Sequence, residues 1–420
     1  MIFVASPLLV FLSALIFSLS ITLGWPNYIA LSLFYTLFMF SMAVQLIYAS
    51  HKKSQFVGLS LVVLLVLCNH LGIFLGFSLA SGPDYMLWPA DTIDHHLPNA
   101  ITVSKWILGE GEIEIFSDNP FSKIYVSNIW VGIFFAAFGV YPVISGIAML
   151  AIKLVTIYLI YRSAIILTKD KFIALAAAII YGLLPTITFY TIQFYKDFFI
   201  HFLVALILFI LSKSINRPKL AIFMALPLAI LFVERFYLLV MICAALVLYY
   251  WGQSGKFFLK ILILALGGLV SFVVFDHYFS GQGVNELIES VHAFESAQNE
   301  STDVTPTTNI ALDLFRIAFT PFFNFYKLDQ YQKFDSLLTF GGFIHQLIML
   351  CYFRGLWVLR NNRIVLLNSA FLFLMIILAL IMPYDGRARD SFYPLISIFA
   401  AVGINSLWKR KKLNQELPST

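Results

Sequence analysis

Long apolar runs recur along the whole chain and limit what it can fold into. Most of them are close to the roughly 20 residues that an α-helix needs to cross the hydrocarbon core of a bilayer. Of the 420 residues, 60% are hydrophobic and 12% are charged. Soluble domains carry about 25% charged residues, so this composition excludes a soluble globule. The sequence predicts an all-α polytopic membrane protein.

We expect about twelve membrane crossings within a single integral membrane domain, residues 1–420. Glu234-Arg235 interrupts one long apolar region, so that region is taken as two short crossings. The predicted spans are Phe3–Leu23, Tyr28–Ala49, Phe56–Ala80, Val143–Tyr161, Phe172–Tyr190, Phe198–Leu211, Leu220–Val233, Phe236–Trp251, Phe257–Phe275, Leu337–Val358, Ile364–Met382 and Phe392–Trp408.

The charges test this topology. With the N-terminus in the cytoplasm, 17 of the 27 basic residues fall on the cytoplasmic side, together with only two acidic residues, Asp170 and Glu416. The other side receives nine basic residues and the remaining 20 of the 22 acidic ones, while Lys153 lies within a span. This asymmetry is what the positive-inside rule requires. It predicts two cytoplasmic termini, with residues 409–420 as a basic tail, and it explains the net charge of +5 without a nucleic-acid partner.

Two long segments are predicted on the extracytoplasmic side. The first, residues 81–142, contains an acidic motif, an amphipathic helix over Leu97–Leu108, and an apolar stretch, Asn128–Val140, which we expect to be interfacial or re-entrant. The second, residues 276–336, has a polar middle, Gln282–Asn309, followed by an aromatic amphipathic stretch, Asp313–Tyr326. A polar motif directly after an apolar helix is where chemistry at a membrane surface would occur.

The acidic motif holds the first candidate residues: Asp84, Asp91, Asp94, His95 and His96. A carboxylate beside a lipid-facing cleft could act as a general base toward a sugar hydroxyl, or bind a divalent cation at Asp91 and Asp94. The alternative is a helix N-cap surrounded by solvated acids. Adjacent histidines on a helix point in different directions, so the histidine pair makes a poor metal site and favours interfacial hydrogen bonding.

Two charged pairs lie at predicted helix ends. Lys196-Asp197 opens a crossing after Pro185 has broken the preceding helix. Asp197 suits a helix N-terminus electrostatically, and Lys196 could bind a phosphate. Glu234-Arg235 lies at or near membrane depth, where ionisable residues are expensive and often functional. The alternative for Glu234-Arg235 is a pair that satisfies itself in a tight hairpin.

Arg387 and Arg389 occupy the short extracytoplasmic loop before the last crossing. Guanidinium groups bind phosphate oxygens bidentately, so two of them on an otherwise acidic side suit a phosphate or pyrophosphate. The alternative pairs them with Asp385, Asp390 or the acidic motif.

In their order, these motifs resemble the GT-C superfamily, the polytopic glycosyltransferases that use polyprenyl-phosphate-linked sugars. The resemblance rests on four features, which together span most of the chain: Asp91-Thr-Ile-Asp94-His-His; the run from Gly182-Leu-Leu-Pro185 to Gln193-Phe-Tyr-Lys196-Asp197; Arg235 in a later apolar hairpin; and Arg387-Ala-Arg389 followed by Pro394.

The resemblance implies an inverting glycosyltransferase in the bacterial inner membrane. It implies that Asp94 or Asp91 is the general base on an acceptor hydroxyl of a surface glycan or lipid, with the choice between them open. Lys196, Arg235, Arg387 and Arg389 would hold the phosphate of a polyprenyl-phosphate donor, whose tail would contact the apolar helices. The sugar, the acceptor and the need for a metal stay open.

Two other functions compete with this one. An O-antigen or capsular polysaccharide polymerase fits the size and the paired arginines. A non-catalytic transporter of lipid-linked sugars would have ionisable residues along the bilayer midplane and an internal repeat. The sequence offers few such residues, Lys153 and Glu234-Arg235 among them, and no repeat. The concentration of charge in extracytoplasmic segments favours surface chemistry.

Overall fold

The computed structural model of the protein is predominantly helical in the part of the chain that it describes. It describes residues 2–23, 35, 38–39, 41, 55–81, 96–113, 124–192, 194, 196–215, 217–251, 314–315, 318–319, 335–360, 362–369, 371–372 and 390–416. Every element bounded within these residues is an α- or 3₁₀-helix. The all-α prediction is therefore confirmed for the described residues.

We number the α-helices in chain order and name the two 3₁₀-helices η1 and η2. The α-helices are α1 (Ile2–Thr22), α2 (Gln55–Ser81), α3 (Leu97–Ile107), α4 (Val126–Phe138), α5 (Pro142–Thr168), α6 (Lys171–Leu183), α7 (Pro185–Ile192), α8 (Lys196–Ser214), α9 (Ala225–Glu234), α10 (Phe236–Trp251), α11 (Asp335–Val358) and α12 (Tyr393–Glu416). The 3₁₀-helices are η1 (Pro218–Met224) and η2 (Arg363–Asn368).

Two of the described helices are long and apolar enough to cross a membrane, over Val57–Leu79 in α2 and Pro142–Thr168 in α5. The bent pair α6 and α7 makes a third if it counts as one span. On α2, exposed leucines recur at helical spacing, at Leu64, Leu71, Leu75 and Leu79. An exposed apolar row of this kind suits contact with lipid.

Several predicted segments fall wholly or largely outside the described residues. Phe257–Phe275 and Gln282–Asn309 lie entirely outside them, and only isolated positions of Tyr28–Ala49 and Asp313–Tyr326 are described. Of the predicted span Ile364–Met382, the described beginning is the 3₁₀-helix η2 and the remainder is largely outside. The number of crossings therefore stays a prediction.

The structure differs from two predicted spans within the described part. Phe172–Tyr190 is not one straight helix, because α6 ends at Leu183 and α7 begins at Pro185, with a bend of 56°. A proline cannot donate a backbone hydrogen bond and clashes with the preceding turn, which explains the break. Leu220–Val233 begins in the 3₁₀-helix η1, which has a proline at its start, and becomes α-helical only at Ala225.

Two helices extend well beyond their predicted C-terminal ends. Helix α5 continues beyond the predicted Val143–Tyr161 to Thr168. Helix α12 continues through the first part of the predicted basic tail to Glu416. By contrast, α10 has the predicted bounds, Phe236–Trp251.

The chain divides into two compact units. The first contains Met1–Glu234, Pro321–Gly355 and Ser391–Thr420. Within it α1 packs on α2, where Gly72 and Gly76 let the two backbones approach: a Cβ at Gly72 would lie 2.6 Å from the Phe11 carbonyl oxygen. The Ser18 hydroxyl lies 3.3 Å from the Gly72 carbonyl oxygen and donates to it. Small residues spaced four apart are a usual basis of close helix packing in membranes.

The turn between α5 and α6 is fixed by Asp170. Its side chain accepts the backbone N–H groups of Phe172, at 2.8 Å, and Ile173, at 3.5 Å, which caps the start of α6. Its second oxygen accepts from the side-chain amide of Asn405 on α12 at 3.1 Å. Asp170 thereby links the α5–α6 turn to α12, which packs along α6.

The backbones of helices α11 and α12 are in contact at two glycines. A Cβ at Gly355 would lie 1.9 Å from the carbonyl oxygen of Phe399, and one at Gly403 would lie 1.9 Å from that of Cys351. Nearer the start of α12, the buried side chains of His345 and Tyr393 are hydrogen-bonded. These contacts fix the relative position of the two helices.

The second unit contains Arg235–Thr320 and Leu356–Asp390. In its described part α10 packs against η2. Helix α10 begins where the carbonyl of Arg235 accepts the backbone N–H groups of Leu238, at 3.1 Å, and Leu239, at 3.4 Å.

Candidate functional site

His96 lies at the N-terminal end of α3 and is buried, with 3% of its surface exposed. Its ring packs against Tyr125, with the ring centroids 5.8 Å apart, and against Phe194, at 6.1 Å. Its backbone carbonyl accepts from the side-chain amide of Asn128 at 3.1 Å. The last histidine of the acidic motif is therefore held against the start of α4 and the turn between α7 and α8.

The start of α4 is stabilised by a residue distant in sequence. Glu234, the last residue of α9, accepts the backbone N–H of Ser127 at 3.1 Å, and the Ser127 hydroxyl lies 3.5 Å from its second oxygen. Tyr125, at the N-cap position of α4, makes no side-chain capping bond. The first N–H groups of a helix have no partner within the helix, and a carboxylate there also complements the helix dipole. Glu234 therefore supplies the cap that the local sequence does not.

The turn between α7 and α8 contains an unusual backbone conformation. Phe194 has a φ of 51° and is completely buried. A bulky residue in the left-handed region is uncommon and strained, so the surrounding packing must enforce it. The turn leads into α8, whose first two residues are Lys196 and Asp197, as predicted. Of these two residues the structure describes the backbone.

Three of the predicted sequence motifs therefore meet in the first unit. They are the end of the acidic motif at His96, the turn before Lys196-Asp197, and Glu234, joined through the start of α4. We call His96, Ser127, Asn128, Phe194 and Glu234 the convergence site.

Most of the other predicted site residues lie outside the described part of the chain. Asp84, Asp91, Asp94 and His95 lie outside the described residues, as do Arg387 and Arg389. Asp390, directly after Arg389, is described and buried. Arg235 is half-buried at the start of the second unit. The approach of the acidic motif to the two arginines stays a prediction.

Sequence reasoning missed a second group of buried polar side chains inside the helices. Lys153 of α5 is completely buried and donates to the hydroxyl of Thr188 on α7 at 2.9 Å. The hydroxyl of Tyr181 on α6 lies 3.3 Å from Nδ1 of His201 on α8 and also interacts with the Thr156 side chain.

His70 of α2 is also buried, on a helix that packs against α5, the helix of Lys153. We call Lys153, Thr188, Thr156, Tyr181, His201 and His70 the polar layer. The signal in the sequence was the presence of single polar residues in apolar helices, but only Lys153 stood out, because histidine, threonine and tyrosine are common in such helices.

The described residues contain no group of three histidine, cysteine, aspartate or glutamate side chains that could hold a metal ion. The predicted cation position at Asp91 and Asp94 lies outside them. Comparison of this chain with protein-family models, with curated proteins and with solved structures finds no match.

Proposed function

We propose that the protein is a polytopic membrane glycosyltransferase. It transfers a sugar from a polyprenyl-phosphate donor to a surface glycan or lipid acceptor on the extracytoplasmic side of the bacterial inner membrane, with inversion at the anomeric carbon. The proposal includes about twelve crossings with cytoplasmic termini and a GT-C-like arrangement.

One observation carries the proposal: the convergence site joins motifs that are far apart in sequence. His96 follows Asp94 by two residues, and Phe194 precedes Lys196 by two. The rings of His96 and Phe194 are in contact. This contact joins two segments of the chain, one that begins two residues after a candidate base and one that ends two residues before a candidate phosphate-binding lysine.

The chemistry follows from these residue types. Asp94 or Asp91 takes the proton of the acceptor hydroxyl as its oxygen attacks the anomeric carbon from the face opposite the phosphate. The bond between that carbon and the phosphate oxygen breaks, and its electron pair leaves with the polyprenyl phosphate. The phosphate gains negative charge in this step, so Lys196, Arg235, Arg387 and Arg389 would stabilise the transition state more than the donor.

The test is transfer by the purified full-length protein in detergent, supplied with a panel of polyprenyl-phosphate sugars and candidate acceptors. Asp94→Asn, Asp91→Asn and Arg389→Ala are compared with wild type. Removing a general base lowers turnover by about 10²–10⁴-fold. Glu112→Gln is the matched control, because Glu112 is an exposed acid in the same predicted segment.

We expect Asp94→Asn or Asp91→Asn to lose turnover, Arg389→Ala to bind the donor more weakly, and Glu112→Gln to match wild type. Full turnover in all three site variants would refute the site assignment. Absence of transfer by wild type from every donor in the panel, with folded protein, would count against the activity itself.

A second candidate function is a transporter of lipid-linked sugars. The polar layer and the 56° bend between α6 and α7 favour it, because buried ionisable residues beside a broken helix are typical of transporter sites. Protein reconstituted in vesicles with a fluorescent lipid-linked sugar distinguishes the two. A transporter moves the lipid between leaflets without cleaving it, whereas a transferase releases polyprenyl phosphate.

The polymerase function differs from the transferase in using a diphosphate lipid, which the same donor panel can include.

A further inference from the structure

The polar layer contains only side chains that are neutral or positively charged near neutral pH. Of these side chains only Lys153 is ordinarily charged near neutral pH, and its charge is positive; the others are neutral hydrogen-bonding groups. The layer contains no carboxylate, so an anion is the ligand that would gain electrostatically from the charge of Lys153.

Lys153 has hydrogen-bonding capacity for such a partner. Among the described residues its one hydrogen bond is to Thr188, and no described carboxylate forms an ion pair with it. An ammonium group has three N–H donors, so two of them are not used by described residues. A buried charge costs several kcal/mol unless an opposite charge compensates it. Lys153 is therefore hydrogen-bonded to a neutral hydroxyl, whereas an anion would also compensate its positive charge.

Other donors of the layer also have unused capacity. Nε2 of His201 and Nδ1 of His70 are buried, and neither has a hydrogen-bond partner among the described residues. Together with Lys153, these groups come from helices α2, α5 and α8. Donors arriving from several directions suit the tetrahedral oxygens of a phosphate.

The polar layer is close to the convergence site along α7 and α8. Thr188 precedes the end of α7 by four residues and His201 follows the start of α8 by five. At 1.5 Å per residue, these positions are about 6 Å and about 7.5 Å along the helices from the turn that holds Phe194. A phosphate that entered past the convergence site would reach the polar layer within about two helical turns.

We propose that the polar layer is a binding site for a phosphate-type oxyanion, with Lys153 as its charged ligand. The identification of that oxyanion as the phosphate of a lipid-linked donor rests on the proposed function. The binding of the oxyanion itself does not, because it is measured without sugar or acceptor.

The experiment titrates purified full-length protein in an uncharged detergent with dodecyl phosphate, and separately with inorganic phosphate. Binding is followed by tryptophan fluorescence and by the shift in the thermal unfolding midpoint. Sodium chloride at matched ionic strength controls for screening. Lys153→Met removes the charge and keeps the apolar stem, Lys153→Arg keeps the charge, and Lys105→Met is the matched control at an exposed lysine.

We expect dodecyl phosphate to bind wild type and to bind Lys153→Met at least tenfold more weakly, with Lys153→Arg between them and Lys105→Met within twofold of wild type. Equal Kd values for wild type and Lys153→Met overturn the proposal, as does a wild type that binds neither phosphate. Tight binding of inorganic phosphate alone supports the oxyanion site and assigns it to the free ion.

If Lys153→Met does not fold, His201→Gln and Thr188→Val replace it, because each removes one group of the layer without removing the charge. Each should weaken binding by about threefold, and unchanged binding in both would overturn the proposal. If the folded wild type binds dodecyl phosphate but transfers sugar from no donor in the panel, the result counts against the proposed function and leaves the oxyanion site intact.

Discussion

Replacing Glu234 tests whether it acts as the cap of α4. In the structure its carboxylate accepts the Ser127 N–H at 3.1 Å, while the Ser127 hydroxyl lies at the outer limit of hydrogen bonding, 3.5 Å. A hydrogen bond to a charged group contributes about 1.5–3 kcal/mol, and a bond at 3.5 Å adds little. With 4% of Glu234 exposed, water cannot replace the lost acceptor. We therefore expect Glu234→Ala to lower the free energy of unfolding by about 2 kcal/mol.

Glu234→Gln separates the charge from the acceptor. Its amide oxygen can still accept the Ser127 N–H, but as a neutral group, so we expect a loss of about 1 kcal/mol. Ser127→Ala removes the hydroxyl and keeps the backbone N–H, and should cost less than about 0.5 kcal/mol. Glu112→Ala, at an exposed acid, should stay within about 0.5 kcal/mol of wild type.

The assay is SDS-induced unfolding of the protein in mixed micelles, followed by circular dichroism. Glu234→Ala that unfolds at the same SDS fraction as Glu112→Ala would refute the capping role. Sugar transfer gives an independent reading: a residue that only caps α4 should leave turnover unchanged in Glu234→Gln at temperatures where the variant is folded. A loss of turnover of 10²-fold or more in folded Glu234→Gln would instead make Glu234 part of the chemistry.

Three further predictions use the same unfolding assay. Gly355→Ala places a Cβ 1.9 Å from a backbone oxygen, so α11 and α12 must separate, and we expect the free energy of unfolding to fall by about 2 kcal/mol or more. The control Gly111→Ala, whose nearest contact is at 3.8 Å, should lower it by less than about 0.5 kcal/mol. Equal losses in the two variants would contradict the close packing. Asp170→Ala should lose about 1 kcal/mol with its cap on α6 and Asp170→Asn less, so an equal loss in both would argue against capping. Thr188→Val removes the acceptor of Lys153 and should cost about 1–3 kcal/mol, whereas Thr188→Ser, which keeps the hydroxyl, should cost clearly less; the reverse order would contradict the bond.

The sequence alone determined the local structure. The apolar composition and the lengths of the runs predicted helices, and α10 has the predicted bounds, Phe236–Trp251. The amphipathic pattern of Leu97–Leu108 gave α3 within one residue, and the Lys196-Asp197 pair does open α8. The sequence also indicated a helix break at Pro185, because a proline has no backbone N–H and its ring clashes with the preceding turn, but the predicted span Phe172–Tyr190 was nevertheless drawn across it. Each of these features depends on neighbours within a few residues, which a sequence displays directly.

Only the tertiary structure decided which polar groups meet. Glu234 caps a helix by accepting from Ser127, 107 residues earlier in the chain, and no local pattern around either residue indicates the pairing. Lys153 and Thr188 are 35 residues apart, and no local pattern relates them. The packing of α5 against α7 buries the ammonium group and gives it a hydroxyl acceptor. In an apolar helix every face is hydrophobic, so the sequence cannot indicate which face a neighbour covers. Close approach of helices selects the face, and with it the partners of each buried polar side chain.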